Sequence, residues 1–195
     1  MIRIETFVGT ARRPHIAALG RLRIEVFRAW PYLYDGTPAD ERAEAAAVEG
    51  GARAALIVAF DGGDAVGCAT CMPLTDETPN VVGAFAAAGH DPGRMVFYAE
   101  SVLLAAYRGQ GIGVAFFAAR EAHARTIPGA ALAAFCAVRR SPDDPRRPAD
   151  AASLTDFWAH RGFVPLPGVV VPMRWKETDS DGLVDNSLDG WGKAL

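Results

Sequence analysis

Three glycines in alternate positions, placed where an apolar strand gives way to a helix, constrain this chain more than any other feature. The run Met95 to Leu104 reads as a strand. It leads through Ala105, Ala106 and Tyr107 into Arg108-Gly109-Gln110-Gly111-Ile112-Gly113, and a long helix is expected from Val114 to Arg125, broken by Pro128-Gly129. A helix start leaves its first N–H groups without carbonyl partners, and the helix dipole favours an anion there. Glycines let the backbone approach phosphate oxygens closely, and Arg108 adds a cation. The stretch therefore points to a ligand carrying a pyrophosphate. Two better-known phosphate patterns fit less well. The dinucleotide fingerprint G-x-G-x-x-G places its third glycine one residue later, and the next strand, Ala131 to Val138, ends in Arg139 rather than an acid. The P-loop pattern G-x-x-x-x-G-K-[ST] is absent.

The chain has 195 residues, 50% of them hydrophobic, enough for a single domain with a full core, and no composition shift marks a second. A net charge of −3 argues against a nucleic-acid binder. No apolar stretch is long enough for a membrane span, and the alternating start Met1 to Phe7 lacks the apolar core of a signal peptide, so a cytoplasmic location is expected. Three cysteines do not suggest a disulfide framework. Cys68 and Cys71 lie three apart on an expected strand, hence on opposite faces, and cannot grip one metal.

The remaining pattern is mixed α/β. Ile2 to Phe7 is expected as an edge strand, and Pro14 as the start of a helix that ends near Trp30-Pro31. Pro31 to Gly36 is an aromatic loop. Asp40 to Glu49 reads as a short helix, and 54–60 with 65–72 as a hairpin around Asp61-Gly62-Gly63-Asp64. Residues 80–88 read as a further helix. Residues 139–150 form a charged, proline-rich loop, 154–160 a short helix before Gly162, and Val169 to Trp175 a late strand. Residues 176–190 are acidic and glycine-rich and are expected to be a mobile connection.

Arg108 to Gly113 resembles the R/Q-x-x-G-x-G/A phosphate loop of the GNAT superfamily of acyl-coenzyme A-dependent N-acetyltransferases, with Arg108, Gly111 and Gly113 at the defining positions. Phe157-Trp158-Ala159-His160-Arg161-Gly162-Phe163 resembles the family's F-Y-x-x-x-G-F close. The resemblance covers residues 1–175. It implies a GNAT-like fold, a mostly antiparallel mixed sheet with a splayed strand pair, flanked by helices. It also implies transfer of an acetyl group from acetyl-CoA to a primary amine, with no metal. Coenzyme A would be held by Arg108, Gly109, Gln110, Gly111, Ile112, Gly113 and Phe157, its pantetheine arm along Val102, Leu103 and Leu104. The amide of Leu103 or Leu104 would face the thioester carbonyl.

An attacking amine must lose a proton, which calls for a base. Glu100 is the candidate, sharing a strand face with Val102 and Leu104; the plainer alternative is a Glu paired with an Arg. The family's usual acid, a tyrosine, is here Trp158, which cannot donate as one. Tyr98, two residues before Glu100 and so expected on its face, is the first substitute, ahead of Tyr107, Cys136 and His160. A thiolate leaving group also tolerates the absence of an acid. Tyr32, Tyr34 and Asp35 would form one wall of the acceptor site. Arg146 and Arg147 either bind an anionic part of the acceptor or are solvated surface. A small-molecule acceptor is favoured over a peptide, and a homodimer is compatible with the resemblance. The competing readings are an acyl-CoA-binding module without catalysis and a nucleotide-binding enzyme.

Overall fold

In the computed structural model, which describes residues 1–195 except the side chains of 43–47, the alternating start of the chain forms the edge strand β1 (Ile2–Val8). A tight turn, Gly9–His15, contains Pro14 and leads into α1 (Ile16–Phe27). The order continues α2 (Pro38–Gly50), β2 (Ala55–Asp61), β3 (Asp64–Pro73), α3 (Pro79–Ala87), β4 (Met95–Phe97), β5 (Ser101–Leu103) and α4 (Ile112–Ala124). It ends with β6 (Leu132–Val138), α5 (Thr155–Ala159), β7 (Val164–Lys176) and β8 (Leu183–Ala194). Among the described residues no helix is long and apolar enough to cross a membrane.

The sheet runs β1-β2-β3-β4-β6-β8-β7, with β5 also on β3. Only β4 and β6 are parallel among these pairings. The continuous apolar runs of β2 and β3 follow from their central place, covered on both faces. On one face α1 buries Leu19 and Leu22 against Leu56, Val58 and Cys68, about 2 kcal/mol for each leucine. The other face is covered by α4 and α5, with Phe116, Phe117 and Phe157 over Ile57, Cys71 and Phe135. Cys68 and Cys71 thus lie on opposite faces, as expected, and no group of metal-ligating side chains occurs among the described residues.

Two departures from the sequence reading matter. The expected strand 95–104 is broken. Met72 pairs with Phe97 and Ala69 with Ser101, so Thr70 and Cys71 oppose three residues, Tyr98, Ala99 and Glu100. This is a bulge, and it shifts side-chain alternation by one. The second departure is the stretch 176–190, which is not a mobile connection. Most of it is β8, paired on one side with β6 and on the other with β7. Gly190 and Gly192 lie where Val169 and Leu166 press on the strand; a Cβ on Gly190 would stand 2.5 Å from Val169.

Candidate active site

The glycine turn has the geometry that anion binding requires. Gly109 and Gly111 have φ of 75° and 81°, backbone that side-chain-bearing residues rarely adopt. A Cβ on either would meet nothing within 4 Å, so the space beside them is open. Gly111 caps α4, and the first intrahelical bond runs from the Ala115 amide to the Gly111 carbonyl. The amides of 112–114 therefore have no helical acceptor. Ile112 is buried beneath the turn, while Arg108 and Gln110 are exposed, with Gln110 Nε2 donating to Ala106 O at 3.1 Å. Phe157 closes over the first turn. A Cβ on Gly113 would lie 3.3 Å from its ring, a tight contact that glycine avoids. The turn fits a pyrophosphate: open space, outward amides and Arg108 alongside.

Beside the turn the sheet splits. β6 follows β4 as far as Phe97 and Ala134, and the Tyr98 amide still donates to Ala134 O at 2.8 Å. Beyond this point β6 keeps only β8, its partner along the other edge, while β5 stays on β3. The amide of Leu104 donates to Val66 O at 3.0 Å, and Thr70 donates to Glu100 O at 3.1 Å. In an antiparallel ladder the intervening amides point the other way. Ser101 and Leu103 thus turn their backbone groups into the gap between β5 and β6. Leu103, not Leu104, supplies the inward amide; Val102 is buried under α1.

The bulge separates the two expected catalytic side chains. Tyr98 is buried under α4 between Phe117 and Phe163, with no hydrogen-bond partner for its hydroxyl among the described residues. Burial pushes its phenol pKa up. Glu100 faces α1 on the opposite side, so the shared face expected from simple alternation does not exist. The Glu100 carboxylate accepts from Arg23 Nη1 at 2.6 Å and from the Thr70 hydroxyl. Arg23 in turn donates from Nε to Glu41 at 2.5 Å. The other substitutes lie elsewhere. The Tyr107 hydroxyl bonds Asp61 at 3.0 Å, His160 is exposed, and Trp158 packs on Phe135 and Trp191.

Glu100 and Ala99 lie at the floor of a cleft of about 780 Å³ on the α1 side, together with Cys136 of β6. Burial pushes the Cys136 thiol up to about 12. Tyr32, Tyr34 and Asp35 all line this cleft. Tyr32 stacks on Phe27 at 4.1 Å, and burial pushes its phenol up to about 12. Burial, with Glu41 and Asp40 nearby, pushes the Tyr34 phenol up as well. Asp35 accepts from Lys176 at 2.8 Å and Arg28 at 2.7 Å, which hold its carboxyl below the usual range.

Arg146 and Arg147 are not part of this lining. Arg146 is spent on Asp144 at 2.8 Å and Glu177 at 2.5 Å, and Arg147 is exposed. Sequence reasoning missed Arg23, Thr70 and Trp175. Each is drawn to the site by a partner distant in the chain: Arg23 by Glu100, and Trp175 by Tyr32 O, to which its Nε1 donates at 3.0 Å. It also missed Arg140, which holds the carbonyls of Pro31 and Tyr32 at 2.7 and 2.9 Å. Spacing carries no signal for such pairings.

The sequence model of the Acetyltransferase (GNAT) family matches residues 20–148. No curated protein matches the chain significantly. Among solved structures it is similar to the ribosomal-protein-alanine N-acetyltransferase of Brucella melitensis at 17% identity and a TM-score of 0.62, covering 100% of this chain and 99% of that one. It is similar to Arabidopsis thaliana NAA60, in complex with a bisubstrate analogue, at 10% identity and a TM-score of 0.61, covering 100% and 99%. It also resembles AAC(6')-Iy, in complex with the bisubstrate analogue CoA-S-monomethyl-acetylneamine, at 19% identity and a TM-score of 0.51, covering 74% and 82%. At these identities the likeness concerns the fold.

Proposed function

The chain belongs to the acetyltransferase (GNAT) family, and we propose that it moves an acetyl group from acetyl-CoA to a primary amine of a small molecule by direct attack in a ternary complex. The observation that carries this reading is the split at the bulge. On one side it opens toward the glycine turn, through the gap lined by Leu103; on the other it forms the floor of the cleft. A donor held along β5 and an acceptor held in the cleft would meet there. A cleft of about 780 Å³ is of small-molecule size.

In this reading the turn 108–113 binds the pyrophosphate, and β5 pairs with the pantetheine arm through the outward groups of Ser101 and Leu103. The Leu103 amide donates to the thioester oxygen as it gains charge, an effect of about 3 kcal/mol in comparable sites. Glu100, fixed by Arg23 and Thr70, takes the proton that the amine must lose, directly or through water. The amine nitrogen bonds to the acyl carbon, the carbon–sulfur bond breaks, and the electron pair leaves on sulfur. The nitrogen sheds its second proton after attack, to water or to the departing sulfur. No acid on this chain is needed for that departure, since a thiol of ordinary pKa leaves as thiolate.

Titration with acetyl-CoA by calorimetry tests the donor site, comparing the native chain with Gly111→Asp, which sets a negative side chain at the phosphate position. Micromolar binding lost in the variant is the expected result. A folded native chain that does not bind acetyl-CoA would sink the reading. Trp158 at the family's tyrosine position and the buried Tyr98 favour a second reading, an acyl-CoA-binding module. Binding without thiol release across a broad amine panel would select it.

A further inference from the structure

We propose that the acceptor is a primary amine bound as its ammonium ion, carried on an apolar, flat body and bearing no anionic group. This rests on the reading of the cleft as the acceptor site. The first observation is the charge at its inner end. Arg23 lies between Glu100 at 2.6 Å and Glu41 at 2.5 Å, and the three side chains are 13%, 12% and 5% exposed. Two carboxylates thus share one guanidinium in a nearly buried triad. Glu41 lies behind the lining against the Tyr34 phenol, so the excess negative charge of the triad reaches the cleft through Glu100. A buried negative charge left without compensation is costly, and an ammonium entering the cleft would offset it.

The rest of the lining agrees. Among the described residues, five carboxylates and three cations line the cleft. Of those cations, Lys176 is tied to Asp35 at 2.8 Å and Arg174 to Asp185 at 2.9 Å, while Arg23 is held in the triad. A carboxylate or phosphate on the acceptor would meet cations whose charge is already shared with acids, in a lining of net negative charge. Arg146, the residue best suited to an anion by its chemistry, is bound to Glu177 instead. Between the charged groups the wall is apolar and partly aromatic. Phe27 and Tyr32 are stacked, Trp175 lies 5.8 Å from Tyr32, and Met72, Phe97 and Met173 extend the surface. Aromatic faces also attract an ammonium. A highly hydrated polyamine would leave this wall uncovered.

The test uses the full chain and four probes: phenethylamine, phenylalanine, putrescine and phenethyl alcohol. Phenylalanine adds a carboxylate, putrescine lacks the flat body, and the alcohol lacks the charge. With acetyl-CoA present, thiol release should give phenethylamine a kcat/KM at least about tenfold above phenylalanine and putrescine, a difference that corresponds to about 1.4 kcal/mol. By calorimetry without acetyl-CoA, phenethylamine should bind about tenfold more tightly than phenethyl alcohol. Glu41→Gln, which neutralises the triad, should erase most of that preference while acetyl-CoA binding is kept. Equal or better use of phenylalanine or putrescine would overturn the acceptor class while leaving the transferase reading intact. The calorimetric preference without any thiol release would support the class and defeat the transferase reading.

Discussion

Arg120 is 2% exposed, and among the described residues its guanidinium bonds only carbonyl oxygens, those of Phe116 and Glu100, each at 3.3 Å. Its charge sits over the rings of Phe117 and Tyr98, 4.4 and 4.6 Å from their centroids. Burial lowers its pKa to about 10, so it remains a cation at neutral pH. The contact with Glu100 O fastens α4 to the bulge, which makes Arg120 a positioning residue for Leu103 and Glu100. A buried cation paired with no carboxylate carries an uncompensated desolvation cost, which an apolar side chain of similar length removes. Arg120→Met should therefore keep or raise the melting temperature while kcat falls roughly tenfold or more, with KM for acetyl-CoA little changed. Equal losses in stability and in both constants would reduce Arg120 to a packing role. Leu103→Pro addresses the amide itself. That N–H points away from β3, so proline there removes no ladder bond. It should lower kcat by about 10²–10³ in a thiol-release assay, with the fold kept. At this scale the glycine turn was legible in the sequence, because positive φ and bare amides are local properties. Tyr98 was misplaced because one extra residue inverts alternation, and nothing local marks residues 98–100 as a bulge.

The loop after α1 becomes a wall of the cleft because other elements hold it. Asp35 pairs with Lys176 O through its amide at 2.8 Å, and Thr178 donates to Leu33 O at 2.8 Å. Behind it Glu177, 1% exposed, accepts from Arg140 at 2.8 Å and Arg146 at 2.5 Å. Burial alone would raise the Glu177 pKa, but the two guanidinium groups outweigh it and lower it. A carboxyl whose pKa is lowered on folding stabilises the chain above its unfolded pKa, and that contribution is lost as pH falls through the folded value. Thermal melts should therefore be nearly flat from about pH 8 to 5 and fall steeply below about pH 4.3. Glu177→Gln should cost about 2 kcal/mol at pH 7 and flatten the acid step. An unchanged step would assign it to other carboxylates, Asp144 first, held down to about 2 by Arg146. The sequence shows this clamp only as a charged loop and an acidic tail, since Arg146 and Glu177 are 31 positions apart. The same separation hid β8: its acids and glycines look like a linker until Val169 and Leu166 are seen pressing on Gly190 and Gly192.

Across the whole molecule, the sheet's two halves meet on a short seam. β4 contributes three residues, paired to β3 through Met72 and Pro73 and to β6 through Leu132, Ala133 and Ala134. Beyond Tyr98 the halves part, and backbone groups of Ser101 and Leu103 face a gap rather than a neighbouring strand. A ligand lying in that gap completes the hydrogen bonding of β5 and ties the β3 half to the β6 half. Binding to the folded chain alone adds RT ln(1 + [L]/Kd), about 2.7 kcal/mol at one hundred times Kd. For a chain of this size each kcal/mol raises the melting temperature by about 2–4 °C, so saturating acetyl-CoA should raise it by roughly 5–10 °C. Native-state amide exchange locates the gain. Protection should increase at Ser101 and Leu103 and in the first turn of α4, whereas β1 and β2, which do not border the gap, should change little. Gly111→Asp should abolish both effects, read against its own unliganded melting temperature, since the positive φ at this position lowers the variant's stability by about 1 kcal/mol. A melting shift without protection at Ser101 and Leu103 would place the ligand outside the gap, and with it the meeting point of donor and acceptor.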